Sequence, residues 1–120
     1  MEIVIKLLIG FIAILHLYFL YIEMFAWETV GKKTFKTFPK ELFTPTKNMA
    51  ANQGLYNGFL AAGLIWTYFI SSTEWAKNIS LFFISCVVVA GIYGALTVSI
   101  KILYVQALPA IIVLSLLLFS

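Results

Sequence analysis

Two ionisable side chains, His16 and Glu23, interrupt the first apolar run of this chain. A second run carries Asn52, Gln53, Tyr56 and Asn57, and Tyr93, Thr97 and Gln106 lie within or at the edges of the remaining ones. An imidazole and a carboxylate can exchange a proton with a bound molecule, so His16 and Glu23 are the acid/base candidates. Amides and hydroxyls orient a ligand, which makes Asn52, Gln53, Tyr56, Asn57, Tyr93, Thr97 and Gln106 the candidate binding set. Groups of this kind are expensive in hydrocarbon, so they face a protein interior and mark a pathway or a site. His16 and Glu23 are seven residues apart, two turns along one helix face. At about 10 Å of rise each must find its partner on another helix.

Other chemistries lack their residues. No HExxH, metal-spaced Cys/His set, Gly-rich phosphate loop or Ser-His-Asp arrangement occurs, and one histidine with one carboxylate nearby is too few ligands for a metal site. No metal is expected, and the cofactor is unknown. The single cysteine, Cys86, excludes an internal disulfide and a CxxC pair and reads as a small apolar filler. All eight basic residues are lysines. Without arginine's bidentate fork a nucleic-acid partner is not expected.

The elements that must position these residues follow from composition. The chain has 120 residues, 62% hydrophobic and 11% charged, with a mean hydropathy of +1.02. A soluble domain carries roughly 25% charged residues. The expected fold is therefore all-α: a single membrane domain over residues 1–120, an antiparallel bundle of four transmembrane helices. A span needs about 20 apolar residues. The runs fit spans at about 3–27, 46–70, 74–99 and 102–119, with a loop at about 28–45. The first run is too long for a signal-peptide core and lacks a small-x-small cleavage site, so it reads as a retained helix. Thr44-Pro45 suits a cap and first position of the second helix. Ser71 with Glu74 suits a capping box for the third. A single helix from Ile79 to Phe119 would be about 60 Å long, so a tight reversal is expected around Ser99 to Leu103.

In the loop, Phe35, Phe38, Leu42 and Phe43 alternate with Lys32, Lys33, Lys36 and Lys40. This pattern fits a segment lying in the headgroup layer, or an irregular loop dipping its aromatic rings into lipid. Five lysines fall between Trp27 and Met49, which suits anionic headgroups and puts the loop on the cytoplasmic side, with both termini outside. In that orientation the polar residues of all four helices fall in the inner half. Glu23 is expected at the depth of Asn52, Gln53 and Gln106, and His16 nearer Asn57. Ala50, Gly54, Gly58 and Ala62 form a small-residue ridge, matched by Ala90, Gly91, Gly94 and Ala95, that lets helices approach closely. Pro109 removes one backbone bond, frees the Val105 carbonyl and sets up a kink beside Gln106.

His16, Glu23 and Trp27, then Asn52-Gln53-Gly54-Leu55-Tyr56-Asn57-Gly58-Phe59, then Ala90-Gly91-Ile92-Tyr93-Gly94-Ala95-Leu96-Thr97, then Gln106-Ala107-Leu108-Pro109-Ala110 make an ordered set. It resembles the domain-of-unknown-function 1304 family, small and mostly bacterial membrane proteins of four helices. The resemblance runs over essentially the whole chain and implies the span count and the choice of residues, but no activity, substrate or cofactor. Three functional readings follow. A pocket in the inner leaflet binds a small amphipathic or lipid-like molecule, with or without acid/base chemistry. An oligomer carries a small solute or protons, although the outer half offers few polar steps. An assembly protein grips another membrane protein through the small-residue ridges. The expected partners are the lipid bilayer, an amphipathic ligand and further copies of the chain.

Overall fold

The computed structural model describes residues 2–120, and among them the regular structure is entirely helical. Five α-helices follow in order: α1 (Ile3–Phe25), α2 (Val30–Thr34), α3 (Lys47–Trp66), α4 (Thr73–Thr97) and α5 (Leu108–Leu118). Two of them, α1 and α4, are long and apolar enough to cross a membrane. A 3₁₀ turn at Thr67–Phe69 prolongs α3, so its helical stretch ends where the sequence pattern places it.

Several boundaries differ from the sequence expectation. The first helix stops at Phe25, and Trp27 lies in the turn that follows. The Thr44-Pro45 pair does not start α3. Thr46 Oγ1 bonds back to the Leu42 carbonyl at 2.7 Å, which adds a turn before the helix begins at Lys47. The cap of α4 is Ser72, not Ser71: its hydroxyl accepts from the Trp75 amide at 3.2 Å. That register puts Trp75 at the third helical position, where Glu74 was expected, so no capping box forms. The loop also holds a short helix, α2, that the lysine-aromatic alternation hid.

The chain divides into two compact units, and both α1 and α3 run through the division. One unit takes the chain up to Ala13 together with Leu60–Ser120. Its hydrophobic core is Ile5, Ile9, Ile12 and Ala13 from α1, Leu64 from α3, Ile84 and Val87 from α4, and Ala110, Val113 and Leu117 from α5, with the hydroxyls of Thr67 and Ser80 also buried in this unit. These positions recur at three- and four-residue spacings, one face per helix. Here the reversal falls where it was expected. The amides of Val98 and Ser99 both close on the Gly94 carbonyl, at 2.8 and 3.2 Å, and Ser99 Oγ accepts from the Lys101 amide at 3.3 Å.

Past the reversal the helix widens into a π turn over Leu103–Ala107. The Leu108 amide reaches back to the Leu103 carbonyl, an i→i+5 bond just before Pro109, which has no amide to offer. The expected kink is thus a change of helical register. Small residues set the spacing: a Cβ on Gly91 would lie 2.9 Å from the backbone of Ala107. At the far ends of this antiparallel pair Lys77 Nζ donates to the Ser120 carbonyl at 3.0 Å; in the same unit the Tyr68 hydroxyl, in the turn after α3, donates to the Lys6 carbonyl of α1.

The second unit is Ile14–Phe59. It contains the second half of α1, α2, a 3₁₀ turn at Lys40–Leu42 and the first half of α3. Its centre of packing is aromatic. Trp27 meets Phe43 at 4.8 Å, Phe35 at 5.6 Å and Phe38 at 5.9 Å between ring centroids, and Phe43 is fully buried. The rings turn onto one another, so the loop's aromatics form a cluster of their own with Phe43 at its buried centre and Phe35 and Phe38 partly exposed. Buried apolar contact within the loop outcompetes exposure of each ring separately.

Candidate functional site

The polar contact that joins two helices in the second unit is between Glu23 of α1 and Asn57 of α3. Asn57 Nδ2 donates to Glu23 Oε1 at 2.6 Å, a short bond of the kind made to a carboxylate. Gly54 permits it, with Gly58 next along the same face. A Cβ on Gly54 would stand 2.7 Å from Met24 Cγ and 3.0 Å from Glu23 Cβ, and one on Gly58 would stand 2.6 Å from Leu20 Cδ1. Part of the sequence-derived ridge therefore does bring α3 onto α1, and the amide and carboxylate meet where the backbones come closest. Glu23 Oε2 has no protein partner among the described residues.

The sequence expectation set Glu23 at the depth of Asn52, Gln53 and Gln106 and His16 nearer that of Asn57; the bond joins Glu23 to Asn57 instead. The extra turn before α3 and the α2 helix displace the register, and Asn57 becomes the residue level with Glu23. Asn52 and Gln53 are exposed, and Asn52 Nδ2 bonds back to the Asn48 carbonyl at 3.1 Å. Tyr56 is 57% exposed and leans on Phe59. His16 is fully buried, with its ring edge-on to Phe19 at 5.5 Å. It shares a face of α1 with Glu23, and the rise of about 10 Å between them keeps the two side chains apart.

Tyr93, Thr97 and Gln106 belong to the other unit. Thr97 Oγ1 turns back to the Tyr93 carbonyl at 2.7 Å, the local bond a helical threonine makes when no other partner is offered. Tyr93 is exposed and, with Phe82, Ser85, Cys86, Val89 and Ala90, lines an open apolar groove on α4. Gln106 is half-buried in the π turn. Of the nine candidate residues, the structure thus joins Glu23 and Asn57 by a hydrogen bond, buries His16 two turns away, and leaves Asn52, Gln53 and Tyr56 on open positions. Among the described residues no three His, Cys, Asp or Glu side chains converge to hold a metal ion.

Sequence reasoning missed the clasp beneath the aromatic cluster. Trp27 Nε1 donates to Thr46 Oγ1 at 3.0 Å. Thr44 Oγ1 donates to Glu28 Oε2 at 2.8 Å, and Lys47 Nζ lies 3.6 Å from Glu28 Oε1. The Thr44 hydrogen bond, aided by the charges of Lys47 and Lys32, holds the Glu28 carboxyl below its usual value of 4.5. The signal was present in the alternation of Thr44 and Thr46 around Pro45, which sequence reading assigned to a helix start.

No solved structure matches the chain. A curated relative, the uncharacterized protein YpaA of Lactococcus lactis subsp. lactis (strain IL1403), is 36% identical over 107 residues, covering 86% of this chain and 87% of the relative. The family model described as "Protein of unknown function (DUF1304)" matches residues 10–118. The short bond between Glu23 and Asn57 and the glycines that allow it all fall inside that matched stretch, and the chain belongs to the DUF1304 family.

Proposed function

We propose that this chain is an integral membrane protein of four antiparallel spans whose Glu23–Asn57 pair holds the polar head of a small amphipathic or lipid-like molecule. The membrane reading is supported by the outward faces of the helices. Along α1, Ile3, Leu7, Phe11, Ile14, Tyr18, Tyr21 and Phe25 are all exposed, an apolar stripe the length of the helix. Soluble monomers rarely expose contiguous apolar patches larger than a few hundred Å². Lipid is the solvent in which such a surface costs nothing. By the lysine count the Glu28–Thr46 loop faces the cytoplasm and the termini lie outside.

The binding reading rests on one observation: a half-buried carboxylate, that of Glu23, whose Oε1 takes a 2.6 Å amide bond from the facing helix while no bond is formed at Oε2 among the described residues. A hydroxyl, amine or ammonium head would donate to that oxygen while its tail lies along the apolar faces of α1 and α3. Asn57 holds the carboxylate in place, and Glu23 is the proton acceptor or donor if the bound molecule reacts. His16, being buried and a rise of two turns away, would tune the site from beneath. The assembly reading is less well supported, because Gly54, Gly58, Gly91 and Gly94 pack against side chains or backbone of this chain itself.

Photocrosslinking tests this. The full chain, reconstituted in vesicles containing a diazirine-bearing single-chain amphiphile with an amine head, should be labelled on the Ile14–Phe25 and Lys47–Phe59 peptides. Labelling there should fall severalfold in Glu23→Gln and in Asn57→Leu. Labelling spread evenly over all helices, or unchanged in both variants, removes the proposal.

A further inference from the structure

The loop between α1 and α3 carries a charge pattern that the Glu23–Asn57 site does not use. Residues 30–47 contain Lys32, Lys33, Lys36, Lys40 and Lys47 against a single acid, Glu41. Lys33, Lys36 and Lys40 are exposed and Lys32 half-exposed. Among the described residues the ion pair formed is Glu28–Lys47, at 3.6 Å, so these four lysines have no carboxylate within bonding reach. They are not on a loose tail. Their backbone is fixed from below by the Trp27–Phe35–Phe38–Phe43 cluster. It is closed at both ends by the Trp27–Thr46 and Glu28–Thr44 bonds. Gly31 completes the platform: a Cβ there would lie 3.2 Å from the Trp27 ring and 3.3 Å from Phe43.

We infer that this aromatic-backed lysine platform is a binding surface for anionic phospholipid headgroups. The rings of the loop pack on each other, so the contact its lysines are left to make is electrostatic. Four ammonium groups on a fixed backbone match phosphodiester headgroups carrying a net negative charge, and each lysine near such a surface is worth about fivefold in association. Lipid, rather than a soluble polyanion, is favoured by what flanks the lysines. Phe25 at the end of α1 is 74% exposed, and Met49 in the first turn of α3 is 72% exposed. Acyl chains would lie against these residues where the lysines meet the headgroups. Lysine also suits this partner, because it neutralises a headgroup as a point charge without arginine's bidentate geometry.

The test uses the full chain in neutral detergent micelles and native mass spectrometry, titrating phosphatidylglycerol against phosphatidylcholine of the same acyl chains. With one or two lysines meeting each headgroup, phosphatidylglycerol should be retained at about five- to twenty-five-fold lower concentration, and the preference should shrink as ionic strength rises. The fourfold variant Lys32→Gln, Lys33→Gln, Lys36→Gln, Lys40→Gln should bind the two lipids alike, and the milder Lys36→Gln, Lys40→Gln pair should lose part of the preference with unchanged helix content. Glu23→Gln should keep it in full, which separates this surface from the Glu23–Asn57 site. Equal retention of the two lipids by the wild-type chain overturns the inference. So does a preference that survives the fourfold change, or displacement of phosphatidylglycerol by an equal concentration of heparin or glycerol phosphate.

Discussion

The two units of the chain are held together by different physics. In the unit built from the chain ends, the buried set is mainly Ile, Leu, Val and Ala, with glycine where helices touch. Its two buried hydroxyls, Thr67 and Ser80, turn back to carbonyls three and four residues earlier, and the longer-range Tyr68–Lys6 and Lys77–Ser120 bonds lie at exposed positions. In the Ile14–Phe59 unit the fixed points are polar or aromatic: Glu23 with Asn57, Trp27 with Thr46, Glu28 with Thr44, and four rings in tilted or edge-on contact. Close packing alone can hold helices in lipid, where apolar side chains gain nothing from leaving water. Directional bonds are needed where the chain must present a carboxylate or a row of lysines at a set place. The first unit is thus a scaffold by composition, and the second is where selectivity can be built.

Removing the centre of the aromatic cluster tests that division most severely. Phe43 is fully buried against Trp27 and Phe38, and Phe43→Ala should cost about 3–5 kcal/mol of local stability. Hydrogen exchange should rise across Val30–Thr34 and the residues up to Thr46, while Ile84, Val87 and Val113 keep their protection. Equal loss in both units would show that they are one cooperative body.

Glycine substitutions sharpen the same contrast. A Cβ on Gly91 would meet backbone and Cβ atoms of Ala107 at 2.9 Å, which can yield only by moving a helix. Overpacking of that kind costs about 1–3 kcal/mol and outweighs the roughly 1 kcal/mol that alanine gains over glycine in a helix. On Gly58 the same Cβ meets the tip of Leu20 at 2.6 Å, and a rotamer change relieves it. Gly91→Ala should lower the unfolding midpoint in denaturant–micelle titrations, whereas Gly58→Ala should leave it near the wild-type value.

The Glu23–Asn57 bond should count for less in stability than in function. A double-mutant cycle with Glu23→Gln and Asn57→Leu should return a coupling of about 0.6 kcal/mol and at most about 1.7 kcal/mol, the range of interhelical polar pairs in membrane proteins. A cycle made with Asn52→Leu in place of Asn57→Leu should return no coupling, because Asn52 bonds its own helix.

What the sequence made legible follows from which signals are local. The long helices, the reversal near Ser99 and the close approach at Gly54 came from apolar runs, helix length and small-residue spacing, which need no knowledge of a neighbour, whereas both expected caps fell one or more residues from the observed ones. The partner of Glu23 did not follow from such signals. Its choice of Asn57 over Asn52 depends on the register of α3 against α1, and that register is set by α2 and by the turn Thr46 adds before Lys47. The outward-facing Gln53 and Tyr56 were unreadable for the same reason: a polar stripe marks a helix face, not what lies opposite it. In the loop, interleaved aromatics and lysines fitted a segment in the headgroup layer or an irregular loop dipping its rings into lipid, and neither reading held the ring cluster, because the contact of Phe43 with Trp27 is long-range.

The smallest expected effect lies at the clasp, where it also bears on which unit responds to acid. Glu28 sits outside the apolar part of α1, and its carboxyl is held below 4.5 first by the Thr44 hydroxyl and then by Lys47 and Lys32. A group whose folded-state pKa is depressed adds stability above its unfolded value, and loses that contribution as pH falls through the folded one. The clasp should therefore be fully formed at neutral pH, begin to weaken only below about pH 4.5, and be absent once Glu28 is protonated. Because the carboxylate is open to solvent, screening keeps the gain small. The readout is the titration of the Glu28 side-chain carboxyl by carbon NMR of the full chain in micelles. Its midpoint should lie below that of an ordinary glutamate in the wild type, and move back up in Thr44→Val, which removes the leading cause. If Thr44→Val leaves the midpoint where it was, the lysines rather than the hydroxyl hold the carboxylate, and the loop is closed by charge alone.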